Sequence, residues 1–222
     1  MIKQLLVFLK GILAGLAIGV GGFLYVLMTF LVEGELGKVL GSLVFAIGLF
    51  TVCTFSLMLY TGKIGMVFEK KQETSFYISL PVMLLGNTIG AFGLGALCYL
   101  IFKNNTNEFY QAALNTANSR LSFNNFNDFL MCCVRSFLCG VCVYLAVKSF
   151  ALDRLKPLGI SLLVFFVFLF VYCGFQHCIA NMFYFGFAGT YQKEVWLDLA
   201  LVILFNSFGP IVGVYLFKLF KK

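Results

Sequence analysis

Six apolar stretches occupy most of the chain, at about residues 5–32, 38–67, 77–102, 126–150, 158–188 and 195–220. Each is long enough to cross a bilayer as a helix, which takes about 20 residues. Hydrophobic residues make up 61% of the chain and charged residues 11%, and the mean hydropathy is +0.98. A soluble domain carries roughly a quarter charged residues. The reading is an all-α polytopic membrane protein with six transmembrane helices, and residues 1–222 form a single transmembrane domain. The second and fifth stretches are longer than a span needs, and both contain polar or helix-weakening residues part-way along.

The first stretch follows Lys3 as a signal peptide would. Its apolar run extends far beyond an h-region of about 7–15 residues and carries glycines at helical spacing, so it reads as a retained transmembrane helix. With the N-terminus inside, the inner segments carry Lys3, Lys10, Lys63, Lys70, Lys71, Lys148, Arg154, Lys156, Lys218, Lys221 and Lys222. The outer side has Lys38, Lys103, Arg120, Arg135 and Lys193. Eleven against five is a positive-inside bias that places both termini in the cytoplasm. The net charge of +7 therefore reports topology, and no basic patch points to nucleic acid.

All eight cysteines fall within apolar stretches. Cys139 and Cys142 have C-x-x-C spacing, but no second pair and no nearby histidine completes a metal or redox motif. They read as small, soft packing residues, with no disulfide framework, metal or cofactor implied.

The two halves echo each other, with one repeat at about 1–103 and the other at about 126–222. Gly11 to Gly15 resembles Ser136 to Gly140, and Leu40-Gly41 opens the second stretch as Leu158-Gly159 opens the fifth. In that register the polar break at Thr61-Gly62 falls opposite Ile179-Ala180. Gly86 to Gly90 is matched with Gly209 to Gly213. Three spans per repeat is an odd number, so the second copy must be inverted, with helices two and five broken at matching places. Broken helices at membrane depth are tolerated where they face protein or a water-filled cavity. Their N-terminal ends favour anions. The repeat thus points to a pathway for a small solute, with anions favoured. The glycine faces (Gly11, Gly15, Gly19; Gly86, Gly90; Gly209, Gly213) imply close helix packing and carry no information about substrate.

The only histidine, His177, lies inside the fifth stretch, two residues before the matched break. A titratable ring at that depth marks a polar cavity or pathway more often than a packing site.

These residues resemble the formate/nitrite transporters, a family of pentameric channels for small monovalent anions with an aquaporin-like protomer. Gly174 to Met182 resembles the family's fifth-helix signature, and Leu59-Tyr60-Thr61-Gly62 its second-helix loop. Leu85-Gly86-Asn87 with Gly90 resembles its third-helix motif, and Gly11 to Gly22 its first helix. The resemblance covers essentially the whole chain in the right order. It implies a substrate pathway through His177, Thr61 and Asn181, to which Lys63, itself a departure from the family, is added as a candidate. It also implies an outer constriction at Phe45 and Phe170 and an inner one at Leu49, Leu59, Tyr60 and Val143. The implied partners are a formate-, nitrite- or hydrosulfide-class anion, a proton exchanged at the histidine, the cell-membrane bilayer and four further copies of the chain.

This sequence departs from the family pattern at several places. Gly140 stands where an asparagine is typical, and Gln176 where a glutamate commonly precedes the histidine. The position of the funnel lysine falls on Asn124, with Arg120 near enough to substitute, and Lys63 follows the Thr-Gly pair where a neutral residue is usual. Lys63 either recruits anions to the inner vestibule or snorkels at the inner surface.

Three alternatives stand beside this reading. A pore for neutral solutes would be insensitive to pH and to anion charge. A membrane-embedded enzyme needs an acid near His177, and all nine acidic residues are read as lying at segment ends or in loops. A structural subunit would not need two broken helices. The expectation is a channel or transporter, not an enzyme, with no catalytic residues.

Overall fold

The computed structural model describes residues 2–104, 107–121, 125–151 and 156–220. Among them the chain is helical throughout, without strands. The helices are α1 (Ile2–Leu31), α2 (Gly34–Thr54), α3 (Tyr60–Lys63), α4 (Thr74–Phe102), α5 (Glu108–Asn118), α6 (Phe126–Phe150), α7 (Lys156–Tyr172), α8 (Cys178–Ala188), α9 (Lys193–Phe208) and α10 (Pro210–Phe220). A 3-10 turn, Ile64–Phe68, extends α3. Asn124, where the funnel lysine was sought, lies outside the described residues.

Five helices are long and apolar enough to cross a bilayer: α1, α2, α4, α6 and the continuous Lys193–Leu219 run through α9 and α10. The remaining apolar stretch, read as one span at 158–188, is divided between α7 and α8, each shorter than a full crossing. The long second stretch is divided likewise between α2 and α3. In both places the break comes earlier than the polar residues suggested. The chain leaves helix after Thr54 and after Tyr172, whereas Thr61-Gly62 and Ile179-Ala180 already belong to the first turns of α3 and α8. Helix-weakening residues mark the neighbourhood of a break, but the cap geometry decides where the hydrogen-bond ladder stops.

Both helix ends close the same way. The Leu57 N–H bonds the Val52 carbonyl at 2.9 Å, and the Phe175 N–H bonds the Phe170 carbonyl at 2.8 Å. These six-residue closures turn through a left-handed residue, Ser56 (φ 49°) in one case and Gly174 (φ 68°) in the other.

Packing follows from small residues. α1 lies against α4, and α6 against α9. At Gly15 and Gly90 an added Cβ would run into the backbone of the facing helix, at Asn87 O and Ile12 O. Gly140 and Gly209 stand in the same relation to Asn206 O and Phe137 O. Without a hydrophobic driving force between helices in lipid, such close backbone approach is a main source of association energy. α8 is buried on every side, from Cys178 to Ala188, which explains why it is apolar all round. The outer side of the bundle keeps large apolar residues exposed, among them Leu9, Ile47, Leu97 and Leu204. α5, the short helix that follows α4, is N-capped by the Asn107 side chain and packs Phe109 and Tyr110 inward.

Candidate functional site

Two buried asparagines hold the broken helices in place. Asn87 on α4 accepts from the Tyr60 N–H at 2.8 Å and donates to the carbonyls of Gly11 and Met58, both at 2.8 Å. Asn206 on α9 accepts from the Cys178 N–H at 2.9 Å and donates to the carbonyls of Ser136 and Gln176, at 2.7 and 2.8 Å. Each amide thus ties the last carbonyl region of a break, the first N–H of the resumed helix and a neighbouring long helix. Backbone groups at membrane depth need such partners, because hydrocarbon offers none.

Asn87 and Gly90 make the same kinds of contact as Asn206 and Gly209, a register four residues away from the expected match of Gly86 with Gly209. Glycines at i and i+4 fall on the same helix face, so a glycine pattern is ambiguous by about one turn. The pattern Asn-x-x-Gly, present at both places, is the sequence signal that would have resolved it. Asn206 was not among the expected site residues, and Asn87 was noted only as part of a motif.

His177 is the N-cap of α8 and is 2% exposed. Its Nδ1 accepts from the Ala180 N–H at 3.2 Å. An Nδ1 that accepts carries no proton, so in the neutral ring the hydrogen sits on Nε2. Nε2 lies 2.9 Å from Thr61 Oγ1. The ring therefore donates to Thr61, whose own hydroxyl hydrogen is then directed elsewhere. The break in one half and the break in the other meet at this single bond, between residues 116 positions apart.

Aromatic rings lie beside the imidazole. The Phe170 ring lies 5.8 Å from the imidazole, and Phe45 meets Phe170 edge-on at 5.8 Å. Phe45, Phe170, Leu49, Leu59 and Val143 are all 3% exposed or less and belong to one continuous core. Tyr60 does not join them. Its ring packs with Val7, Leu80 and Met83 in a separate cluster, and its hydroxyl bonds Ser207 at 2.9 Å. Leu59 is the extended N-cap residue of α3 (φ −94°, ψ 122°) and Tyr60 is its first helical residue, and the two side chains join different clusters.

On the Phe170 side of His177 lies a cavity of about 10 Å³, lined by Phe45, Phe170, Tyr184, Arg120, His177 and Asn181. Arg120 stands where a replacement for the funnel lysine was sought. It is buried, with its guanidinium over the Tyr184 ring at 5.4 Å. Asn181, fully buried, donates to Gln176 Oε1 at 2.8 Å. Lys63 is placed apart from His177. It lines a cavity of about 160 Å³ with Leu59, Gly62 and Val147, and a larger one of about 470 Å³ with Lys3, Lys70 and Lys71.

One expectation fails. Asp198 is not at a segment end but on the second turn of α9, with no exposed surface, beside Cys132. Counting its distance from the start of an apolar stretch missed that the surrounding helices cover this turn. An acid is therefore present inside the bundle. All the cysteines are free, and among the described residues no group of three or more His, Cys, Asp or Glu is arranged to hold a metal.

A sequence profile of the formate/nitrite transporter family matches residues 2–220. The chain belongs to the formate/nitrite transporter family. Solved structures agree on the fold of this family member. A pentameric formate channel with formate bound shares 22% identity, with 99% of this chain and 96% of that one covered and a TM-score of 0.76. An ion channel of the same family shares 18%, with 95% and 86% covered and a TM-score of 0.71. A search of curated proteins found no match. The protein is a multi-pass membrane transport protein of α-helical channel fold.

Proposed function

We propose that this family member is a channel for small monovalent anions of the formate, nitrite or hydrosulfide class, and that the solute passes His177 and Thr61. The observation that carries this reading is the buried 2.9 Å bond between the two residues, where both broken helices meet. The neutral ring offers Nε2–H, Thr61 a hydroxyl, and α8 an N-terminus whose partial positive charge favours an anion. A bare anion loses several kcal/mol or more of hydration at an apolar ring, whereas its protonated form loses far less. Phe45 with Phe170, and Leu49 with Leu59 and Val143, are the proposed outer and inner rings. A solute that gains a proton beside His177 would cross them as a neutral molecule.

The same reading takes α7 and α8 together as the sixth crossing and treats the matched asparagine clamps and helix closures as marks of an inverted three-helix repeat. Both termini are assigned to the cytoplasm of the cell membrane by the distribution of lysine and arginine. A homopentamer is proposed because the similar formate channel is described as pentameric. Arg120 is proposed as the outer cation, and Lys63 as the inner one that recruits anions to the vestibule.

The test is uptake into proteoliposomes of formate, nitrite, hydrosulfide and glycerol at several external pH values. Faster anion uptake at lower pH, altered by His177→Asn, is the expected result. Glycerol flux equal to anion flux at every pH would instead mark a neutral-solute pore. Equal anion fluxes for the wild type and His177→Asn would remove the histidine from the mechanism. Lys63→Ala should weaken half-saturation from the inner side; no change there would leave Lys63 as a snorkelling residue only.

A further inference from the structure

The cavity of about 470 Å³ lies where the first turns of α1 and α4 meet α3 and the segment that follows it. Its volume is within the roughly 300–1,000 Å³ of small-molecule sites. Four lysines from three parts of the chain line it: Lys3 on α1, Lys63 at the end of α3, and Lys70 and Lys71 beyond the 3-10 turn. Glu73 is the one carboxylate among the lining residues. Among the described residues none of these lysines is in an ion pair, whereas Lys38 and Lys148 pair with Glu35 and Glu69 at 2.7 and 2.6 Å. Like charges gathered around one cavity repel each other, and an anion held between them relieves that cost.

Two further features narrow the ligand. Gln4 also lines the cavity, and the Ser75 carbonyl can only accept, so Gln4 presents its Nε2 there, at 3.4 Å. Gln4 Oε1 is then a buried acceptor with no hydrogen-bond partner among the described residues. The floor is apolar: Val7 and Met83 are buried and pack with Met58 and Phe76. Beside it on α1, Ile2, Leu5 and Leu6 are exposed. A free phosphate would use the lysines and leave the apolar floor unmatched.

We propose that this cavity holds the headgroup of an anionic phospholipid. The phosphate sits among the four lysines, a headgroup hydroxyl donates to Gln4 Oε1, and the acyl chains run along the exposed apolar residues of α1. Basic pockets between transmembrane helices on the cytoplasmic side suit such headgroups. Lys63 also lines the cavity of about 160 Å³ beside Leu59. A phosphate bound to it would weaken its pull on anions in the inner vestibule. That consequence rests on the anion-channel reading; the lipid site does not.

The binding test is thermal unfolding of the full chain in detergent, with dioctanoyl phosphatidylglycerol as the probe. The midpoint should rise with this lipid and stay unchanged with dioctanoyl phosphatidylcholine. Lys70→Gln and Lys71→Gln together remove two charges worth about fivefold each, so the apparent Kd should rise about 25-fold; Lys193→Gln should leave it unchanged. Gln4→Leu should weaken phosphatidylglycerol several-fold and leave phosphatidylmethanol, which lacks the hydroxyls, unaffected; equal losses would overturn the hydroxyl contact. Equal shifts with phosphatidylcholine, the same shift with inorganic phosphate at the same concentrations, or wild-type affinity in the double lysine variant would overturn the proposal. In proteoliposomes, adding phosphatidylglycerol should raise half-saturation for formate from the inner side. A rise of the same size in Lys63→Ala would come from surface potential alone and overturn the link to the vestibule. A protein that binds phosphatidylglycerol as expected and carries no formate at any concentration would overturn the channel reading and leave the lipid site standing.

Discussion

Replacing Asn206 by Leu is the most informative single perturbation of the scaffold. The side chains are similar in size, so the change removes polar contacts with little loss of packing volume. Three backbone groups lose their partner at once: the Cys178 N–H and the carbonyls of Ser136 and Gln176, now held at 2.7–2.9 Å. Asn206 is fully buried, so water does not replace it easily. Side-chain hydrogen bonds within membrane proteins average roughly 0.6 kcal/mol, which for three bonds sets a floor of about 2 kcal/mol. Orphaned buried groups cost about 1–3 kcal/mol each, which raises the ceiling for three of them to about 9 kcal/mol. The freed groups lie on either side of His177, so the ring should lose its alignment with Thr61 even in molecules that stay folded. Thermal unfolding in detergent, followed by loss of the assembled species on size exclusion, measures the first effect; formate uptake measures the second. Thr88→Ala, which removes one intrahelical bond to the Leu84 carbonyl, is the control and should shift stability by less than about 1 kcal/mol. Asn87→Leu should match Asn206→Leu, because its three bonds at 2.8 Å do the same work in the other half. An Asn206→Leu protein with wild-type stability and uptake would refute the clamp argument.

Three further outcomes are expected. Thr61→Val should keep the fold and reduce anion flux at least tenfold, whereas Thr61→Ser should retain it, because only the hydroxyl faced by His177 Nε2 is at issue; parallel uptake assays compare the two. Gly209→Ala should lower the yield of assembled protein and cost about 1–3 kcal/mol, since the new methyl meets the Phe137 carbonyl and the Gly140 Cα of the neighbouring helix. Melting temperature in detergent reads this, and Gly93→Ala, where the added carbon meets nothing, should leave it unchanged. Glu69→Gln breaks the 2.6 Å pair with Lys148 and weakens the 3.2 Å bond from the Tyr144 hydroxyl. Because both partners are about a quarter exposed, the loss should be no more than about 1 kcal/mol and should shrink in high salt.

Much of the site was legible because its residues are chemically out of place. A lone histidine in an apolar run and a Thr-Gly pair inside an overlong stretch both stand out against lipid-compatible neighbours, and the structure brings His177 and Thr61 to 2.9 Å. Arg120 was legible only as a nearby charge; its burial against Tyr184 depends on how the segment after α5 folds back. Asn206 and Gln176 look ordinary in one dimension. Their importance comes from partners 28 to 70 residues away. Tyr60 is the opposite case: it is adjacent in sequence to Leu59, yet it packs in a different cluster.

By itself the sequence determined the class of solution. Stretches of this length and apolarity have no stable form in water, and lipid accepts them as helices whose backbone is bonded internally. It also determined that two of those helices must be interrupted, and near which residues. Only the tertiary structure decided where the interruptions stop and how they are capped. It also decided that Asn87 and Asn206 are the residues that hold them, and that Asp198 is inside the bundle. The physical reason is that hydropathy is a property of segments and survives in one dimension. Hydrogen-bond satisfaction at membrane depth is a property of neighbours, and the neighbours exist only once the helices have packed.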